Sequence, residues 1–219
     1  MIQEVQKIER SIRERRDTDV PLVNYWLYIF LLSWVTLGIY PIVLFFKRIG
    51  RIDKFIIRKK EYYEGVIGYT EKYAKENNKY DDLHHQIQDL KNLYEDNFGK
   101  KIKELKAGLS FFLSIVTFGI WAIVVLFKQN EIWNKLQGFE QDFDDNLSQI
   151  WSKLGLAKYP INFRPDSSKN RSFILYIVLS IVTFGIWGIV WDYKIHTDPD
   201  KLYKEFHSVE DTVLNTIRK

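Results

Sequence analysis

Leu32-Ser33-Trp34-Val35-Thr36-Leu37-Gly38-Ile39-Tyr40-Pro41-Ile42-Val43 decides the architecture, because the same twelve positions return at 113–124 and at 179–190. Leu, Ser, Val, Thr, Gly, Ile, Ile and Val are identical at eight of the twelve in all three copies. An aromatic follows three residues later (Phe46, Phe127, Tyr193), and then a lysine (Lys47, Lys128, Lys194). Apolar composition alone does not produce such a register, so the three segments read as copies of one unit. Each copy lies in a block without a single charge: 20–46 (27 residues), 108–127 (20) and 172–191 (20). A bilayer core of roughly 30 Å takes about 20 apolar residues as a helix, so every block is long enough to be membrane-embedded.

The rest of the 219-residue chain agrees. Hydrophobic residues are 46% and aromatics 16%, yet mean hydropathy is only −0.23, so the apolar residues are concentrated and the stretches between them polar. The fold class expected is an all-α integral membrane protein, with three repeated hydrophobic helical segments alternating with amphipathic cytoplasmic helices. The first block is too long for a signal-peptide core and is expected to be retained. With no cysteine, thiolate and disulfide chemistry are excluded. A net charge of +4 from 32 basic and 28 acidic residues gives no reason to invoke nucleic acid.

Each block can be a straight span or a re-entrant hairpin. Glycine inside a helix costs about 1 kcal/mol relative to alanine, so three copies need a reason. Pro41 removes an amide donor and favours a kink or a fresh helix start. Serine and threonine hydroxyls can satisfy carbonyls freed by a break, which lipid forbids leaving unpaired. Thr36, Gly38, Pro41, Thr117, Gly119, Thr183, Gly185 and Gly188 are therefore the expected break residues. Tyr40, Trp121 and Trp187, with Lys47, Lys128 and Lys194, are the expected interface anchors. The alternative is that small residues form packing faces between straight spans. Charge favours hairpins: straight spans would divide Lys and Arg 12 against 20 between the two sides, and a basic cluster would cross in either orientation.

The polar stretches read as amphipathic helices. Residues 1–19 offer Ile2, Val5, Ile8 and Ile12. Residues 47–107 read as a helical hairpin broken at Asn77-Asn78, with 81–106 capped by Asp81 or Asp82 and striped by Leu83, Ile87, Leu90, Tyr94, Phe98, Ile102 and Leu105. Residues 128–171 hold a helix striped by Ile132, Leu136, Phe139, Phe143, Leu147, Ile150 and Leu154, then a loop marked by Pro160, Pro165 and Ser167-Ser168. In 194–219, Thr197-Asp198-Pro199 reads as a cap and first-turn proline. Packing within one chain is the expected use of these stripes. The 47–60 stretch carries seven basic residues against Asp53 alone. Arg48, Arg51, Lys54, Arg58, Lys59 and Lys60 are expected to contact anionic phospholipids or to act as an ordinary positive-inside anchor.

Chemistry is thin. His84-His85 and His196-x-Asp198 do not make three converging ligands, so no metal site and no cofactor are expected. No nucleophile, phosphate-loop or zinc motif is present, and the blocks contain no ionisable side chain of the kind that marks a transport path.

The box, at Thr36-Leu37-Gly38-Ile39-Tyr40 with Lys47, and at its counterparts around Gly119 and Gly185, resembles uncharacterised prokaryotic membrane-protein families whose hydrophobic segments carry a T-x-G-I-Y box ending in a basic residue. Tryptophan replaces tyrosine in two copies. The resemblance implies a small integral membrane protein without an assigned enzyme activity. The expected function is a non-enzymatic scaffold at the cytoplasmic membrane, with three helix-break-helix wedges shaping or organising the bilayer by self-assembly. Its partners would be the lipid bilayer, other copies of the chain or another membrane protein. The rivals are a three-span accessory subunit of a larger complex and an oligomeric channel or transporter.

Overall fold

A computed structural model describes residues 1–157, 161 and 172–218, and these are all-helical. The order is α1 (Ile2–Thr18), α2 (Tyr25–Leu27) running through a π-helical stretch (Tyr28–Leu32) into α3 (Ser33–Val35), and α4 (Ile39–Glu76). Then come α5 (Tyr80–Leu93) with a π-helical continuation (Tyr94–Gly99), α6 (Ala107–Val116), α7 (Ile120–Leu154), α8 (Phe173–Val182) and α9 (Ile186–Ile217). Each apolar block is a short helical arm, a turn, and a second arm that continues without interruption into a long amphipathic helix.

The straight-span alternative is corrected here. Every block turns back at its box, and no helix among the described residues is long and apolar enough to cross a membrane. The first arms hold about ten residues, or roughly 15 Å. The long helices α4, α7 and α9 rise side by side in the same direction. Along α4 and α9, Arg48 meets Asp192, Arg51 meets Asp200 and Arg58 meets Glu210 in ascending order, each at 2.6–2.8 Å. Along α4 and α7 the order is Phe55 with Trp133, Lys59 with Glu140 and Tyr63 with Phe143. The three turns therefore point to one end of the molecule.

The hairpins also close on one another. Phe46 of the first packs edge-on against Phe111 of the second (4.9 Å), Phe127 of the second against Phe173 of the third (5.2 Å), and Tyr193 of the third against Tyr25 of the first (5.1 Å). Phe46, Phe127 and Tyr193 each stand eight residues beyond the box glycine. One repeated position thus builds a closed ring of three.

Below the ring lies the core, with Phe55, Tyr63, Phe98, Phe139, Phe143, Phe206 and Trp151 buried. α1 runs along α4 over Gly65, where an added Cβ would lie 2.8 Å from Ile8 Cγ1. The stripe of 130–154 packs into the core, as do Val5, Ile8 and Ile12 of 1–19 while Ile2 stays exposed, and the chain reverses at Asn77 and Asn78, the latter with φ +55°. Three expectations are corrected. Lys79, whose side chain makes no capping bond, stands at the N-cap of α5, and Asp81 and Asp82 fall in its first turn. Residues 102–106 leave the helix although Ile102 remains buried, because the Asp53 carboxylate accepts the Leu105 and Ala107 amides at 2.5 and 3.0 Å and pins this strap to α4. Pro199 lies inside α9 and starts no helix. Of the loop expected after α7, Pro160, Pro165 and Ser167-Ser168 lie outside the described residues.

An ionic network sits in the centre. Arg58 donates to Asp19 at 2.6 Å and to Glu210 at 2.8 Å, and Lys59 to Glu140 at 2.7 Å and Glu210 at 3.0 Å, all with fully buried side chains. Arg15 adds a third cation to Glu210 at 2.7 Å, and the Tyr63 hydroxyl donates to Glu140. The flanking cations hold Glu210 far below the usual carboxylate range despite its burial. Burial raises Glu140 in spite of Lys59, and Asp144 more so: burial, then the nearby Glu140, push its carboxyl well up, and its Oδ2 is buried without a hydrogen-bond partner. A raised folded-state value means that the ionised form costs stability above the ordinary carboxylate value, and that the cost disappears as pH falls below it. Asp144→Asn is expected to raise the melting temperature at pH 7 and to match the wild type near pH 3. Thermal unfolding followed by circular dichroism at both pH values checks this; destabilisation at pH 7 would mean that the charge is needed.

Candidate functional site at the hairpin tips

A helix end leaves carbonyls and amides without intrahelical partners, and at an apolar tip no side chain is at hand except those of the turn itself. The box solves this identically three times. Thr36 Oγ1 donates to the Leu32 carbonyl at 2.6 Å and accepts the Tyr40 amide at 2.9 Å. Thr117 does the same with Leu113 and Trp121, and Thr183 with Leu179 and Trp187, at 2.7 and 2.9 Å in each case. One hydroxyl thereby joins the last turn of the first arm to the first turn of the second.

The glycine amide completes the turn. Gly38 donates to Ser33 O at 2.8 Å, Gly119 to Ser114 O at 2.7 Å and Gly185 to Ser180 O at 2.7 Å. Two consecutive residues take positive φ: Leu37 (49°) and Gly38 (84°), Phe118 (49°) and Gly119 (89°), Phe184 (49°) and Gly185 (90°). The left-handed region costs a side-chain-bearing residue roughly 1–2 kcal/mol, so glycine at the second position limits each turn to one strained residue. Pro41 and Gly188, expected at the break, are instead the third residue of the second arm, the place of Ala122. Proline is tolerated there because a first-turn amide has no helical partner to lose.

The strained residue is always a large apolar one, and it is almost wholly exposed: Leu37 93%, Phe118 98% and Phe184 98%. Among the described residues, every exposed large apolar side chain except Met1, Ile2, Val20 and Ile57 lies in the three hairpins. Single exposed apolar residues are ordinary, whereas a contiguous apolar end of a molecule marks an interaction surface. The sequence marks these tips only faintly, as a leucine or phenylalanine before each box glycine.

The expected anchors occupy two levels. Tyr40, Trp121 and Trp187 lie at the tips, two residues beyond the glycines, and are half-buried against the arms. Lys47, Lys128 and Lys194 stand nine residues beyond the glycines, at the hairpin bases. Lys47 Nζ reaches back to 5.9 Å from the Tyr40 ring and Lys128 Nζ to 5.2 Å from Trp121.

The expected anionic-lipid contacts are largely corrected. Arg58 and Lys59 belong to the buried network. Arg48 is buried against Asp192 (2.6 Å), with His196 Nδ1 3.2 Å away, and Arg51 donates to Asp200 (2.6 Å) and to the Val20 carbonyl (3.2 Å). Carboxylates distant in sequence neutralise these four, and only Lys54 and Lys60 remain exposed. His196 is absorbed by the same junction: its Nε2 lies 2.6 Å from the Val23 carbonyl, and burial, with Arg48 beside it, lowers its pKa. His84 and His85 are exposed on α5.

A family described as a domain of unknown function (DUF4234) matches residues 171–216, which take in the third hairpin and nearly all of α9. Over that unit the chain is similar to an uncharacterised family. No curated protein and no solved structure matches the chain.

The turn geometry yields a test. Thr117→Val keeps the shape but leaves the Trp121 amide without its acceptor, a loss of about 1–3 kcal/mol. Amide exchange at Trp121 is expected to accelerate by tenfold or more, with Thr117→Ser restoring protection. Unchanged exchange in the valine variant would remove the threonine from the account of the turn.

Proposed function

We propose that the chain is a non-enzymatic membrane scaffold whose three hairpins enter one leaflet side by side as wedges. The observation that carries this reading is the tip: an almost fully exposed leucine or phenylalanine on a backbone that satisfies its own hydrogen bonds. Hydrocarbon admits only backbone paired internally, and an irregular turn meets that demand when side chains of the turn supply the missing partners. In water the same tips would present three large apolar side chains for no gain.

Depth and direction support the reading. Arms of roughly 15 Å reach about the middle of a core of roughly 30 Å. The tips share one end, and the base lysines stand where an ammonium can remain at the headgroups while its stem follows the apolar surface. Six arms in one leaflet and none in the other expand one side of the bilayer, which favours curvature. A groove of about 400 Å³ between the first and second hairpins, lined by Pro41, Ile42, Phe45, Phe46, Phe111 and Ile115 among others, suits acyl chains. Self-association of such units at the cytoplasmic face of the membrane would organise it over larger areas.

The test is Leu37→Asp, Phe118→Asp and Phe184→Asp combined. These side chains make so little contact with the rest of the chain that the bundle is expected to keep its circular-dichroism spectrum and melting temperature. The wild type is expected to float with phosphatidylcholine vesicles and to tubulate them, and the triple variant to remain in the aqueous fraction. A triple variant that floats and tubulates like the wild type overturns the wedge mechanism, as does a wild type that never floats.

A further inference from the structure

The strap between α5 and α6 forms one wall of a cavity of about 280 Å³ at the base of the second hairpin. Lys103 and Lys106 line it from the strap, Lys101 from the helical end just before it, and Lys128 and Lys135 from α7, against Glu104 and Glu131. Lys135 is already paired with Glu131 at 2.8 Å. Lys103, Lys106 and Lys128 have no carboxylate within ion-pair distance among the described residues, and they give the cavity its unneutralised positive charge. Its other wall is apolar, with Leu109, Val125 and Trp121, whose buried indole N–H has no acceptor.

This arrangement is built. Asp53 holds the strap through the Leu105 and Ala107 amides, and the Ser110 hydroxyl donates to the Leu105 carbonyl at 2.6 Å. Lys106 takes φ +53° immediately before α6, so its position is fixed by the turn that starts the hairpin. Lys128 stands nine residues beyond Gly119, or roughly 13 Å along the helix. That sets the backbone of Lys128 about half a bilayer core from the tip, with its ammonium turned back along the apolar wall to 5.2 Å from the Trp121 ring.

We infer that this cavity binds the headgroup phosphate of an anionic phospholipid, with the acyl chains lying along the apolar wall toward the tip of the second hairpin. The inference rests on the wedge reading and adds the class of lipid. Lysines are good partners for a phosphate as point charges, and the gradient from three ammonium groups to an apolar wall matches a phospholipid better than a soluble anion. The basic stretch 47–60, the obvious candidate in the sequence, is spent on internal pairs, whereas these lysines are not.

The experiment measures partitioning of the full chain onto vesicles of phosphatidylcholine alone and of an equal mixture with phosphatidylglycerol. A lysine near an anionic surface strengthens partitioning by about fivefold, so the wild type is expected to prefer the mixture by about tenfold or more. Lys103→Gln, Lys106→Gln and Lys128→Gln combined should bind both vesicles alike. Arg16→Gln, Lys201→Gln and Lys204→Gln remove the same charge from exposed positions elsewhere and should keep the preference. The inference is overturned if the wild type has no preference, if the cavity variant keeps it, or if the control loses it equally. Inorganic phosphate at matched ionic strength should leave the preference intact; abolishing it would assign the cavity to free phosphate. Wild type floating equally with both vesicles defeats only this inference. Wild type floating with neither defeats the wedge reading and this inference together.

Discussion

The structure depends on how a chain can reverse direction where no polar partner is at hand. A helix that ends in apolar surroundings must find acceptors and donors within its own few residues. The hydroxyl of Thr36, Thr117 and Thr183 acts on both sides of the reversal, taking up a carbonyl of the arm that ends and an amide of the arm that begins. Gly38, Gly119 and Gly185 supply the second left-handed residue that closes the turn. With the backbone settled internally, the side chain of the residue between them is almost wholly exposed, and in all three copies it is large and apolar. Selection for a stable turn alone would not favour leucine or phenylalanine at a strained, solvent-facing position, and this asymmetry is why the tips read as functional.

The proposed wedge needs a fixed direction, and the long helices supply one. Arg48, Arg51 and Arg58 climb α4 while Asp192, Asp200 and Glu210 climb α9, so the two helices are locked in parallel and in register. Lys59 adds α7 through Glu140, and Arg15 with Asp19 adds α1. Buried ion pairs contribute little net stability compared with apolar packing, but removing one partner strands the others at a cost of about 3–5 kcal/mol. Such a network penalises slippage of one helix past another by a single turn. Fixing register is a role suited to it, because register decides whether three tips end at the same depth.

The repeat, the break at the box glycines, the reversal at Asn77-Asn78 and the apolar stripes of α1 and α7 were all legible in the sequence, because each is a local pattern with a local cause. What was not legible depends on contacts between distant segments. The run 47–60 looks like a surface anchor until Asp19, Glu140, Asp192, Asp200 and Glu210 arrive from elsewhere in the chain and bury most of it. The apolar period through Ile102 and Leu105 suggests that α5 continues, and only the Asp53 carboxylate on α4 accounts for the strap. Pro199 follows a credible cap, yet the helix passes through it, tied to α4 before the proline by Asp192 and after it by Asp200 and Glu210. Linear charge and periodicity report which faces exist; they do not report which faces meet.

The family match and the structural repeat share nearly the same boundaries, and this bears on why the unit occurs three times here. Residues 171–216 contain one complete hairpin and its long helix. Alone, that unit would expose Phe206 and Val213 and leave Glu210 without Arg58, Lys59 and Arg15. Lys59 and Glu140 stand equally far, 21 residues, beyond Gly38 and Gly119, and at that level the copies have diverged to opposite charge. Tyr63, Asp144 and Glu210 each stand 25 residues beyond the glycine, and there two copies are acidic and the first carries a phenol. Identity is retained where each copy must perform the same reversal, and complementarity appears where the copies must recognise one another. Three identical units could associate in any order, whereas cations in one copy and carboxylates in the others specify one arrangement.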